Sequence, residues 1–234
     1  DPTQRPVSFC YNGGPGSASV WVHLGLLGPR RVVAGDVDAP ELPPYRLSDN
    51  EYSMLDLTDL VFIDPVSTGF SRASEGEDPK QFHGLESDTE SVGDFIRLYV
   101  SRNQRWRSPK FLIGESYGTT RSASLSGYLQ EKHGMYLNGV LLISVVLNFG
   151  TIRFQEGHDL PHILYLPAFT ATAWYHKRLA PDLQADLQKA LRESEAFAEG
   201  EYATAMMLGN RLTGKARQNI VRKLARLTGL STTY

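Results

Sequence analysis

The ten residues FLIGESYGTT, positions 111–120, constrain this chain more than any other stretch. An apolar run leads into Ser116, set between Gly114 and Gly118, and a helical pattern follows from Thr119 to His133, where Gly134 stops it. A bare Gly-x-Ser-x-Gly is weak, because it arises by chance in roughly one chain in a dozen of this size. Its setting carries the meaning. A nucleophile elbow needs the serine on a sharp turn between a buried strand and a helix, and flanking glycines let the backbone turn without Cβ clashes. The competing reading is a serine that caps a structural helix.

Such an elbow also needs two backbone donors for an oxyanion. One is the N–H of the residue after the serine, here Tyr117; the other comes from a loop after an earlier strand. Residues 7–11 (VSFCY) read as that strand, and Asn12-Gly13-Gly14-Pro15-Gly16 follows it. Glycines let main chain approach an oxyanion closely, and Pro15 stiffens the loop. By itself the loop reads equally well as a simple turn; beside an elbow, the oxyanion role is favoured.

The rest of the chain alternates. DLVFIDP, residues 59–65, reads as a buried strand, and residues 31–33 and 45–47 as short strands joined by a Pro-rich connection. Val92, Phe95, Ile96, Tyr99 and Val100 form a helical stripe within residues 86–105, and GVLLISVVL, residues 139–147, reads as another buried strand. Strand, helix, strand in this order implies a mainly parallel sheet with helices on both faces. Beyond residue 165 the pattern is all helical. Leu183, Leu187, Leu191 and Phe197 mark one amphipathic helix, and Ile220 to Leu227 another.

A length of 234 residues fits one large α/β domain, or one domain and part of another. A net charge of −2 and the absence of a polybasic tract argue against a nucleic-acid partner. Lys215, Arg217, Arg222, Lys223 and Arg226 gather late, on a segment with helical apolar spacing, and read as a solvated helix face. Cys10 is the only cysteine, so neither an intrachain disulfide nor a cysteine-based metal cluster is expected. No apolar run reaches membrane-spanning length, so no membrane partner is expected. Both ends read as cuts through a larger protein: DPTQRPVSFCY enters a strand at once, and LTGLSTTY follows directly on a helix.

Asn-Gly-Gly-Pro-Gly and Gly-Glu-Ser-Tyr-Gly, both unbroken here, closely resemble the hallmark motifs of the serine carboxypeptidase family, which has the α/β-hydrolase fold. FIDPVSTGFS, residues 62–71, is similar to the family's Asp-x-Pro-x-x-x-Gly-Phe-Ser segment, and the resemblance continues through LNGVLLIS and LPAFTATAWYH. It covers essentially the whole chain and looks most like the bacterial branch. The resemblance implies an α/β-hydrolase-type, mainly parallel sheet with flanking helices, incomplete at its C-terminal side. It implies a partial core over residues 1–164 and a helical cap or insertion over 165–234. It implies Ser116 as the acylating nucleophile, Gly14 and Tyr117 as oxyanion donors, and Asn12 and Glu115 as ligands of the α-carboxylate of a peptide substrate. No cofactor is implied, and the compartment suggested is secreted or periplasmic.

A carboxyl group beside a substrate carboxylate donates a hydrogen bond only when protonated, so Glu115 is expected to support binding best when neutral. Three positions depart from the family pattern. A glutamate that assists carboxylate binding in many eukaryotic members stands here as Leu26, a tryptophan before the loop as Cys10, and a cysteine after it as Ser17. These bear on how strongly a C-terminal carboxylate is recognised, and they fit a disulfide-poor bacterial relative.

The triad of this fold runs Ser, Asp, His along the chain, the last two after late strands. His133, His158, His162 and His176, with Asp159, Asp182 and Asp186, follow Ser116 but none has that setting. The catalytic Asp and His are therefore expected beyond Tyr234, and the chain by itself is expected to be essentially inactive on peptides. Two other motifs carry little. GNRLTGKA, residues 209–216, has Ala216 where a P-loop needs Ser or Thr, and Pro161 should break any helix that would bring the histidines of HDLPH to one face. Two other functions stay open: an esterase or acyltransferase with the same machinery, and a non-catalytic binding protein on the same fold.

Overall fold

The computed structural model describes residues 3–36, 39 and 41–233. Part of the Pro-rich connection between residues 33 and 45 lies outside them. The chain divides into two compact units, residues 1–147 and 148–234.

The first unit is built on a four-stranded parallel sheet in the order β4-β1-β5-β6. Its strands are β1 (Val7–Tyr11), β4 (Asp59–Phe62), β5 (Lys110–Glu115) and β6 (Gly139–Ile143). β1 is the fully buried centre, with Phe9 opposite Val61 on one side and Leu112 on the other. Period-two alternation sends successive side chains to opposite faces. Val7, Phe9, Tyr11 and Leu112 meet Val92, Ile96 and Val100 of helix α2 (Leu85–Arg102) and Leu125 and Leu129 of α3 (Tyr117–His133). Cys10 and Ile113 point the other way, onto Val22 of the single turn α1 (Val20–Val22) and Leu27 of the π-helical turn that continues it. Each such apolar side chain contributes about 1.5–3 kcal/mol by leaving water. A short antiparallel pair, β2 (Arg30–Val32) and β3 (Leu47–Asp49), is separate from this sheet.

Two local devices set these elements in register. α3 ends where Gly134 takes φ 60°, with its N–H on Gln130 O and that of Met135 on Leu129 O. Only glycine adopts that left-handed turn cheaply, so Gly134 stops the helix. At the start of the strands, Arg5 and Arg105 grip opposite oxygens of Asp59 at 2.8 and 2.6 Å, which ties the entry of β1 to β4.

Two strand expectations need correction. β4 is half-buried rather than buried, because it is an edge of the sheet. β6 stops at Ile143 instead of running to residue 147, and Val140, Leu141 and Leu142 are largely exposed. An apolar run signals burial only where both faces are covered, and β6 is the opposite edge.

The second unit contains α4 (Leu160–Leu164), α5 (Leu166–Tyr175), α6 (Pro181–Gln184), α7 (Leu187–Phe197), α8 (Ala203–Leu208) and α9 (Gly214–Thr228). Its core gathers Leu166, Ala173, Leu183, Ala190, Phe197, Ile220 and Leu227. The single helix expected over Leu183–Phe197 is two. Asp186 has extended backbone, and its carboxylate accepts the N–H of Lys189, so α7 starts afresh there. Pro161 starts α4 instead of breaking a helix, since the first turn needs no N–H from it. Of the late basic residues, Lys215, Arg217 and Arg222 are exposed, while the partly exposed Arg226 bonds Asp182 and Glu193 and Lys223 bonds Glu201. Among the described residues no helix is long and apolar enough to cross a membrane.

Candidate active site

β5 delivers the chain to Ser116, which has φ 56° and ψ −121°, and α3 begins at the next residue. A positive φ on a serine is strained, and only a surrounding structure that over-determines it keeps it there. Here the Ser116 N–H donates to Ile143 O of β6 at 2.9 Å, while Ser116 O accepts from the N–H of Thr119 at 2.9 Å and its hydroxyl at 2.7 Å. The elbow leaves no room for side chains on its flanks. A Cβ on Gly114 would lie 2.1 Å from Gly118 O.

The glycine loop is packed onto this elbow backbone to backbone. A Cβ on Gly13 would stand 2.3 Å from the Tyr117 nitrogen and 2.7 Å from Glu115 O. Gly14, exposed and at φ +105°, carries the loop outward, and the Ser17 N–H closes the turn on Gly13 O at 3.1 Å. The loop and the first turn of α3, which hold the expected oxyanion donors Gly14 and Tyr117, are thus neighbours.

Asn12 and Glu115 are also brought together. The Asn12 Nδ2 donates to Glu115 Oε2 at 2.9 Å, and its Oδ1 accepts the Val22 N–H at 2.9 Å. An amide nitrogen carries two hydrogens, so one remains after the bond to Glu115. Asn12 is only 4% exposed, while Glu115 is half-buried at the end of β5. A buried amide held at both ends and a carboxyl group beside it form a polar pair, and Glu115 immediately precedes Ser116 in the chain.

Two residues here escaped the reading of the sequence. Arg121, 1% exposed, donates through Nε to Asp88 Oδ2 at 2.7 Å and through Nη1 to Asn12 O at 2.7 Å. Its guanidinium lies 5.4 Å from the ring centre of Tyr11 and 5.3 Å from that of Tyr117. The available signal was a lone cation in the small-residue run TTRSAS, one helical turn after Tyr117. Tyr11 adds a second tie: its hydroxyl donates to Ser122 Oγ at 2.7 Å, which donates to Gly118 O at 2.9 Å.

No histidine of the first unit bonds Ser116. His23 stacks on Phe62, His83 bonds Ser67 at 3.0 Å, and His133 bonds Asp94 at 2.9 Å. In the second unit His158 bonds Gly150 O, and the rings of His162 and His176 pack on Phe154 and Tyr175. Among the described residues no group of three or more side chains could hold a metal ion. A cavity of about 680 Å³ in the first unit is lined by Ser19, His23, Asp64, Phe70, Arg72 and Phe95 among others, and no residue of the elbow borders it. Cys10 is no rival nucleophile: burial pushes its thiol up to about 12.

A parallel sheet whose central strands end in a glycine loop and a serine elbow is the architecture of the α/β-hydrolase fold. Within that fold, the serine carboxypeptidase family model matches residues 1–216, and the chain belongs to this family of serine hydrolases. Serine carboxypeptidase-like 33 of Arabidopsis thaliana is 29% identical over 135 residues, which cover 56% of this chain and 26% of that protein. Carboxypeptidase S1 of Penicillium janthinellum is 26% identical over 138 residues, covering 57% and 29%. The chain thus spans less than a third of the curated relatives that it matches. The structure of a prohormone-processing carboxypeptidase from Saccharomyces cerevisiae superposes with a TM-score of 0.53 at 22% identity, over 96% of this chain and 45% of that one, a likeness of fold.

Proposed function

We propose that this chain carries the nucleophile half of a serine carboxypeptidase that removes C-terminal residues from peptides. Ser116 Oγ attacks the carbonyl carbon of the last peptide bond and gives its proton to a general base. The Tyr117 and Gly14 N–H groups receive the oxyanion, where fixed donors lower the barrier most. Collapse breaks the C–N bond, the leaving amine takes the proton, and water then releases the acyl group from Ser116. Asn12 and Glu115 bind the α-carboxylate that makes the enzyme an exopeptidase. The base and its acid are residues other than the three histidines of the first unit. The same reading places the protein in a secreted or periplasmic compartment.

The observation that carries this reading is the 2.9 Å bond from Asn12 Nδ2 to Glu115 Oε2, one residue from Ser116. An esterase has no need of such a pair. Calorimetric titration with an N-blocked dipeptide, against the same dipeptide amidated at its C-terminus, tests it. The free acid should bind more tightly than the amide. Equal binding of acid and amide at acid pH would remove the carboxylate site and favour an esterase or acyltransferase.

A further inference from the structure

We propose that Arg121 is a positioning residue that holds the Asn12–Glu115 pair and the oxyanion donors in one fixed relation. The proposal rests on the roles given above to Asn12, Glu115, Gly14 and Tyr117. It names a group that touches none of the reacting atoms and acts through Asn12 and Tyr117.

The guanidinium has five N–H donors in a rigid plane, and the site uses that shape. One edge pairs with Asp88 of α2 and another donates to the Asn12 carbonyl, while both tyrosine rings lie close to it. Asp88 is 8% exposed, so both charges have left water. Buried ion pairs seldom stabilise a fold more than apolar side chains of similar volume would. Core filling alone is therefore a poor reason for an arginine here.

What the arginine does control is a peptide plane. Asn12 O is wedged between Arg121 and the first turn of α3, where a Cβ on Gly118 would stand 3.2 Å from it. The peptide unit is planar, so fixing the Asn12 carbonyl also fixes the direction of the Gly13 N–H. The Gly14 N–H is one peptide further on, across a glycine with wide conformational freedom. The Asn12 side chain is held separately, by Val22 and Glu115. Tyr117, whose N–H is the other donor, has its ring against the same guanidinium. Arg121 thus touches both the residue that begins the loop and the residue that follows the nucleophile.

The test compares the wild-type chain with Arg121→Met and Arg121→Lys. Two quantities are read: the affinity ratio for an N-blocked dipeptide over its C-terminal amide, and the ¹⁵N–¹H cross-peaks of Gly13, Gly14 and Tyr117. Urea unfolding reports folding separately. Arg121→Met should lower the acid-over-amide ratio about tenfold, the worth of one charge-assisted hydrogen bond. It should shift or split the three cross-peaks while those of Phe9 and Leu112 stay. Arg121→Lys keeps a charge for Asp88 but lacks the planar fork. It should restore the unfolding midpoint without restoring the ratio, and it carries the test if the Met variant does not fold. A purely structural arginine would change the midpoint alone. A folded variant whose ratio stays within twofold of wild type, with the three cross-peaks unmoved, overturns the proposal. If the wild-type chain shows no preference for the acid, the carboxylate reading fails instead. The cross-peaks then decide the role of Arg121: displaced, it stands; unmoved, it falls.

Discussion

At Gly13 and Gly114 one added methyl group would meet backbone rather than a side chain that can turn away. The Cβ of Gly13→Ala would need the space of the Tyr117 nitrogen, 2.3 Å off, and that of Gly114→Ala the space of Gly118 O, 2.1 Å off. Overpacking of a rigid contact costs about 1–3 kcal/mol, occasionally more. Each variant should therefore lower the urea midpoint by a matching amount; an unchanged midpoint would mean that loop and elbow do not touch as described. Cys10 makes a contrasting case. Buried and with its thiol pushed up to about 12, it should resist iodoacetamide in the folded chain and react only after denaturation, as intact mass would report.

Among the elements, the junction of β1 with β4 should set part of the acid stability. Burial alone would raise the Asp59 carboxyl, but the hydrogen bonds from Arg5 and Arg105 outweigh it and hold the group below its usual range. A carboxyl depressed in the folded state stabilises the fold above its unfolded value, near pH 3.9, and that stabilisation is lost as pH falls through the folded value. Asp59→Asn should therefore lower the unfolding midpoint at pH 6 and flatten its fall below about pH 4. An acid limb as steep as in wild type would place the titrating group elsewhere. The same scale shows where patterns in the sequence mislead. β1 and the elbow are legible because a short apolar run, a glycine and a helix are all local signals. The exposure of β6 is not, because GVLLI looks the same in a central strand and at an edge. The break between α6 and α7 was missed because the leucine spacing runs on across it, and Asp186 marks it only by its cap.

For the whole molecule, the proposed attack by Ser116 needs a general base, and no histidine of the first unit bonds that serine. That unit's three histidines are engaged with Phe62, Ser67 and Asp94. A serine without its base keeps only the contribution of the oxyanion hole and binding. This polypeptide by itself should consequently show no rapid stoichiometric labelling by a fluorophosphonate; full labelling of Ser116 within minutes, seen by intact mass, would show that a base does reach it. The sequence alone determined the elbow, the glycine loop, the order of the sheet's strands with α2 and α3 between them, and the family, because each rests on residues adjacent in the chain. Only the tertiary structure decided that Arg121, 33 residues from Asp88 and 109 from Asn12, joins them beneath the loop. A buried guanidinium gains its meaning from partners that no local spacing reveals, and the folding of α2, β1 and α3 around one sheet is what supplies them.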